Sequence, residues 1–241
     1  MLTSLFFITF FLLPATTSYG LPDGAKILET QSIPAKNRTL VLWMMKPKRN
    51  PRGTSEEDYT CPEYTRGHYY SGKLRVTLID STTKKSLQTL EVESSDSAEP
   101  TIEIPYKIRA GYYYHVPNGS AKIEAKPKIM WLRDYNGDGK AYEFALFVAD
   151  ACLGLPTTLI GYSEKQDKVI QYKTRLTMKT GSKMRIEDFS WTDYLFAKKP
   201  VKSGLWRYSV DYRGRNGTLD KYEIRFNTKL ERFEGTLISK E

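Results

Sequence analysis

The sequence predicts a mainly β protein, an antiparallel β-sandwich or an open, barrel-like meander with little helix. Apolar residues recur at every second position in many short runs, the period of a half-buried strand. Clusters of Gly, Asn, Asp and Ser separate those runs at turn spacing. Tyr is abundant, at 17 of 241 residues, and aromatic side chains suit a pleated surface better than a helix.

The first twenty residues, "MLTSLFFITFFLLPATTSYG", contain no charged side chain. The apolar run from Leu5 to Leu13 is too short to span a bilayer but matches the core of a secretion signal. Ser18 and Gly20 occupy the small-residue positions of a cleavage site. Residues 1–20 are therefore expected to be removed, leaving 21–241 as a single β-rich domain in a secreted or periplasmic setting. A polar stretch near 117–126 is the best candidate for an internal subdivision.

The strands follow in order. In "KLRVTLID", Leu74, Val76 and Leu78 share one face while Arg75 and Thr77 share the other. "SLQTLEV" returns after a polar turn. In "TIEIPYKI", Pro105 donates no backbone hydrogen bond and assigns the strand to a sheet edge. "PKIMWLRD" and "AYEFALFV" flank a polar loop. "TTLIGYSEKQDKVIQYKTRLT" reads as a hairpin reversing around Glu164 to Asp167. Trp206, Tyr208, Val210 and Tyr212 alternate up to Asn216-Gly217, a favoured two-residue reversal, and Tyr222, Ile224 and Phe226 return along the same face. "SKMRIEDFSWTDYLFA" is the best candidate for a turn or two of helix, with Ser182 as N-cap.

The loop "DYNGDGK" carries the specific chemistry. Asp134, Asn136 and Asp138 alternate, so three oxygen side chains can converge on one hard cation, and Gly139 permits the sharp turn that follows. Lys140 stands where such loops use a backbone carbonyl. This run resembles the calcium loops of integrin-α-type FG-GAP repeats and the first half of an EF-hand. The resemblance implies a structural Ca2+ site and no particular fold. It departs from both patterns at the closing carboxylate, since Tyr142 and Ala145 stand at the expected acidic positions. Glu143 is the nearest substitute, on the strand face opposite Tyr142, Phe144 and Leu146. The alternative is a hairpin with a polar tip, which leaves the strict alternation of three oxygen side chains unexplained.

A broader likeness runs through "CPEYTRGHYYSG", "NGDGKAYEFALF" and "LIGYSEKQDKVIQY", which are similar to a family of exported bacterial proteins. It implies export and transfers no site residue. Cys61 and Cys152 can close one disulfide in an oxidising compartment, worth about 4 kcal/mol in the chain-entropy model, or remain two buried thiols.

The net charge is +9, with a local run at Lys46, Lys48, Arg49 and Arg52. Such a run suits an anionic cell-envelope surface or an acidic polysaccharide, though Pro47 and Pro51 fit an ordinary solvated loop. Two histidines exclude a histidine-rich zinc site, and no nucleophile elbow occurs. No nucleic-acid partner and no membrane-spanning segment in the mature chain are expected. The composite expectation is an exported non-enzymatic binding or structural protein, its ligand an envelope or extracellular polysaccharide. The rival is a secreted glycosidase-like hydrolase whose paired carboxylates include Asp138 and Glu143.

Overall fold

The computed structural model describes residues 19–50, 69–94, 102–105, 128–147, 155–213 and 217–240. Among them the fold is mainly β, built of largely antiparallel sheets in a sandwich arrangement with no closed barrel and no α-helix. No helix among the described residues is long and apolar enough to cross a membrane. Residues 1–18, Arg52, Cys61, Cys152, the 117–126 stretch and Asn216 lie outside the described residues.

Strands β1 (Ala25–Ile33), β2 (Arg38–Met45), β5 (Leu74–Asp80) and β6 (Ser86–Glu91) form an antiparallel sheet in the order β1-β2-β5-β6. Short strands β3 (Lys48–Asn50), β4 (Tyr69–Gly72) and β7 (Ile102–Pro105) form a second, with β7 at its edge as Pro105 requires. In the third, β9 (Pro156–Ser163) pairs with β8 (Glu143–Phe147) on one side. On its other side it pairs with β10 (Lys168–Tyr172) and β13 (Thr192–Asp193).

The largest sheet has the order β12-β11-β16-β15-β14. Its members are β11 (Thr174–Thr180), β12 (Lys183–Phe189), β14 (Leu205–Asp211), β15 (Leu219–Asn227) and β16 (Arg232–Lys240).

One core cluster draws on several of these sheets. Leu40, Leu42 and Met44 of β2 join Phe144 and Leu146 of β8, Leu159 of β9, and Trp206, Ile224 and Phe233 of the largest sheet. Several of the described tyrosines serve packing: Tyr208 and Tyr222 stack across β14 and β15 at 4.6 Å between ring centroids. A stacked aromatic pair adds about 1 kcal/mol beyond its buried area.

Four expectations are corrected, and one strand pair departs from the antiparallel pattern. "SKMRIEDF" is a strand, because seven residues paired along β11 gain a full ladder, whereas an isolated helix of that length is marginal. The remainder of that run forms the short strand β13 and one 3-10 turn at Leu195–Ala197. Residues 128–134 of "PKIMWLRD" are irregular, and among the described residues they touch the ladder at the Arg133–Glu143 bridge. Antiparallel pairing is not universal: β11 and β16 run parallel, joined through the strands between them, since a parallel pair needs a long crossover.

The reversal after β14 is longer than two residues. Strand pairing stops at Asp211 and Leu219, and the Tyr212 N–H then donates to the Thr218 carbonyl. Finally, the "solvated loop" at Lys46 to Arg52 contains β3. There Lys48 and Arg49 are exposed and alternate between the two faces of the small sheet.

The two central strands of the first sheet, β2 and β5, are buried on both faces. Thr77, assigned by alternation to the side opposite Leu78, is fully buried there. Its hydroxyl accepts from the Trp43 indole N–H at 2.8 Å and lies 2.8 Å from the Thr89 hydroxyl. Val41, Trp43 and Ile79 form a second, smaller cluster on that side, with Tyr19 and Leu21 packed against it.

Candidate functional site

The approach to the 134–140 loop is held by β1. The Glu29 carboxylate accepts backbone N–H groups of Ile129 and Met130, the latter at 3.0 Å. The chain then pairs once with β8, where Arg133 N–H donates to the Glu143 carbonyl at 2.8 Å and Glu143 N–H to the Arg133 carbonyl at 3.3 Å.

Between those anchors the loop curls on its own side chains. Asp134 bridges it, accepting from Gly137 N–H at 2.7 Å and from Gly139 N–H at 3.1 Å with its two oxygens. Asn136 Oδ1 accepts from Asp138 N–H at 2.9 Å, and Asp138 Oδ1 from Lys140 N–H at 2.8 Å. Gly137 and Gly139 have φ of 83° and 84°, left-handed backbone that glycine adopts without a Cβ penalty.

Glu143 is placed beneath this loop. Its side chain is fully buried; Oε2 accepts from Tyr135 N–H and Oε1 from the Asn136 side-chain amide, both at 3.0 Å. All five residues of β8 are buried, so the strand face opposite Phe144 is covered rather than open. Space for the carboxylate comes from Gly161, its register partner on β9. A Cβ at Gly161 would lie 2.8 Å from Glu143 Cγ and 2.8 Å from the Tyr142 carbonyl.

Burial pushes the Glu143 carboxyl up to about 8, with Asp138 and Asp134 adding to the rise and the N–H donors opposing it. A carboxylate in low dielectric disfavours its charged form, and neighbouring carboxylates reinforce that. Among the described residues Glu143 is enclosed by the protein rather than exposed in a cleft.

The loop is clamped from two other sides. The Tyr135 carbonyl accepts from Gly204 N–H at 3.0 Å, and a Cβ at Gly204 would sit 2.6 Å from the Asn136 carbonyl. Tyr135 itself packs edge-on to Phe196 and parallel to Trp206. Lys140 pairs with Glu164 of the β9–β10 turn, which also meets Lys36 at 2.6 Å. These two ammonium groups hold the Glu164 carboxyl below its usual range.

The donors facing the loop are carboxylate, amide and carbonyl oxygens, a set suited to a hard cation. Each side-chain oxygen described accepts one N–H and keeps a further lone pair. Among the described residues no three His, Cys, Asp or Glu side chains are placed to share one metal ion, so a site here would combine Asp134 and Asp138 with the neutral oxygens of Asn136 and Lys140.

The alternation of oxygens was readable in the sequence. The contributions of Gly161 and Gly204 were missed, although a glycine inside the unbroken strand "TTLIGYS" signals close backbone approach. No protein-family model, no curated protein and no solved structure matches the chain.

Proposed function

We propose that this chain is an exported, non-enzymatic β-rich binding or structural protein with a structural calcium ion in the 134–140 loop. The side chains of Asp134, Asn136 and Asp138 and the carbonyl of Lys140 would hold the ion. Glu143 and Gly161 support the loop from below. The observation that carries the reading is the curled loop, with Asp134 spanning Gly137 to Gly139 and oxygen side chains at alternate positions.

The proposed ligand is an envelope or extracellular polysaccharide. Trp131, three residues ahead of Asp134, is 38% exposed and offers a ring face for sugar stacking beside the loop; the Lys128 ammonium lies 5.1 Å from its centroid.

Thermal unfolding of the processed chain, residues 21–241, in chelator and then in calcium or magnesium tests the proposal. Calcium at a hundredfold excess over its dissociation constant is expected to raise the midpoint by roughly 5–10 °C, with a smaller response to magnesium. Asp134→Ala combined with Asp138→Ala should remove that rise. A double variant that kept the full calcium response would place the site elsewhere.

A further inference from the structure

The free end of the β11–β12 hairpin extends beyond the core, and every residue from Lys179 to Ile186 is exposed. Directly paired residues share a face of a sheet. The register sets Met184 and Ile238 on either side of Lys179, and Ile186 beside Thr177, on the outer face of the five-stranded sheet. Met184 is 66%, Ile186 61% and Ile238 39% exposed. Solvent-exposed aliphatic side chains grouped in this way mark an interaction surface more often than chance scatter does.

Cations predominate at the tip: Lys179 and Lys240 share the outer face with Met184, Ile186 and Ile238, Lys183 and Arg185 project from the other face of β12, and the nearest outer-face carboxylate, Asp188, is paired with Arg175. Lys179, Lys183 and Arg185 lie on the hairpin and Lys240 at the end of β16. The first carboxylate along β12 is Glu187, 3.2 Å from Arg185. Two shallow hollows flank the tip, one lined by Met178, Thr180, Lys183, Met184 and Arg185, the other including Lys179, Ile238 and Lys240. Neither contains an acidic or aromatic residue.

We propose that this end of the sheet docks on an anionic lipid surface. The tip docks end-on, so that Met184 and Ile186 enter the interface between headgroups while Lys179 and Lys240 on their face, and Lys183 and Arg185 on the other, meet phosphate oxygens. Charge complementarity selects the occupant. A second copy would bring two like-charged tips together. Sugar rings and nucleic-acid bases are recognised by stacking on aromatic faces, and none exists between Leu176 and Glu187. Exposed aliphatic groups ringed by lysine and arginine match the boundary between headgroups and acyl chains. The same cations keep the free edge of β12 from adding another strand.

The test is cosedimentation of the chain purified after export with vesicles of phosphatidylcholine alone, or of phosphatidylcholine containing phosphatidylglycerol. It is run in EDTA, so that failure of the calcium reading leaves it untouched. Binding is expected only to the anionic vesicles and should weaken with added salt. Lys179→Gln, Lys183→Gln and Arg185→Gln together should weaken it by about 100-fold, near five-fold per charge. Met184→Ser with Ile186→Ser should weaken vesicle binding by about tenfold and leave binding to dextran sulfate unchanged.

These positions are exposed, so an unchanged unfolding midpoint verifies that each variant is folded. Absence of binding to the anionic vesicles overturns the proposal. So does vesicle binding that survives loss of the three cations. Vesicle binding indifferent to the Met184 and Ile186 changes also overturns it, and would point to a soluble polyanion as the partner.

Discussion

A Glu143→Ala chain is expected to unfold about 4 kcal/mol more readily than the parent. The change leaves a cavity beneath the loop and strips two donors, Tyr135 N–H and the Asn136 amide, of their acceptor. Glu143→Gln is expected to cost less, about 2 kcal/mol, because its carbonyl still accepts from Tyr135. Its amide, however, would point a donor at the Asn136 donor. Turning Asn136 over to relieve that contact would forfeit the Asp138 N–H bond that shapes the loop. Urea unfolding of both variants in EDTA reads the difference. Parental stability in the alanine variant would show that Glu143 does not hold the loop.

The same carboxyl sets a pH dependence. Its folded value is pushed up to about 8 from an ordinary 4.5. Between those two pH values the folded chain keeps a proton that the unfolded chain has released, so stability must fall as pH rises through the window. It levels off above about 8, and the slope approaches about 1.4 kcal/mol per pH unit. In EDTA the parent should show this decline, and Glu143→Gln, which has no proton to release there, should show a flatter profile. Equal slopes in the two chains would assign the titration to another group.

Gly235→Ala is expected to be the most damaging single methyl in the protein, costing about 5 kcal/mol, close to the whole stability of a marginal domain. Gly235 lies in β16, the middle strand of the largest sheet, opposite Ile224 of β15 and Leu176 of β11. A Cβ there would stand 2.2 Å from the Glu223 carbonyl oxygen and 2.8 Å from Ile224 Cα. Both are backbone atoms, so no side-chain rotation relieves the overlap and the strands must separate in mid-sheet. Ser239→Ala on the same strand has no such neighbour and should stay within about 0.5 kcal/mol of the parent. Similar urea midpoints for the two variants would contradict the close approach.

The alternation in "KLRVTLID" identified which residues share a face, and Leu74, Val76 and Leu78 do lie in the core. It also sent Thr77 to the opposite side, correctly, but that side is buried as well. Period-2 patterning reports relative orientation along one strand; whether the second face meets water depends on what the rest of the chain lays across it. The same limit governs Glu143. Its place on the strand was readable, whereas its enclosure depends on how the loop curls back to set Tyr135 and Asn136 over it and on Gly161 of the paired strand β9.

The helix expected at "SKMRIEDF" failed for a related reason. Its local propensities were near neutral, and the deciding partner was β11, reached through the turn at Gly181 with φ of 57°.

By itself, then, the sequence determined the β class, the hairpins closed by short local turns such as Glu164 to Asp167, the edge position of the Pro105 strand, and the alternating oxygens of the 134–138 run. These depend on turn chemistry and two-residue periodicity, which act over a few residues. Only the tertiary structure decided the parallel pairing of β11 with β16, the double-sided burial of β2 and β5, the floor that Glu143 and Gly161 make beneath the loop, and the gathering of Met184, Ile186 and Ile238 around Lys179. Each of these depends on which strands pair or on what the folded chain lays across them, and turn chemistry and two-residue periodicity encode neither.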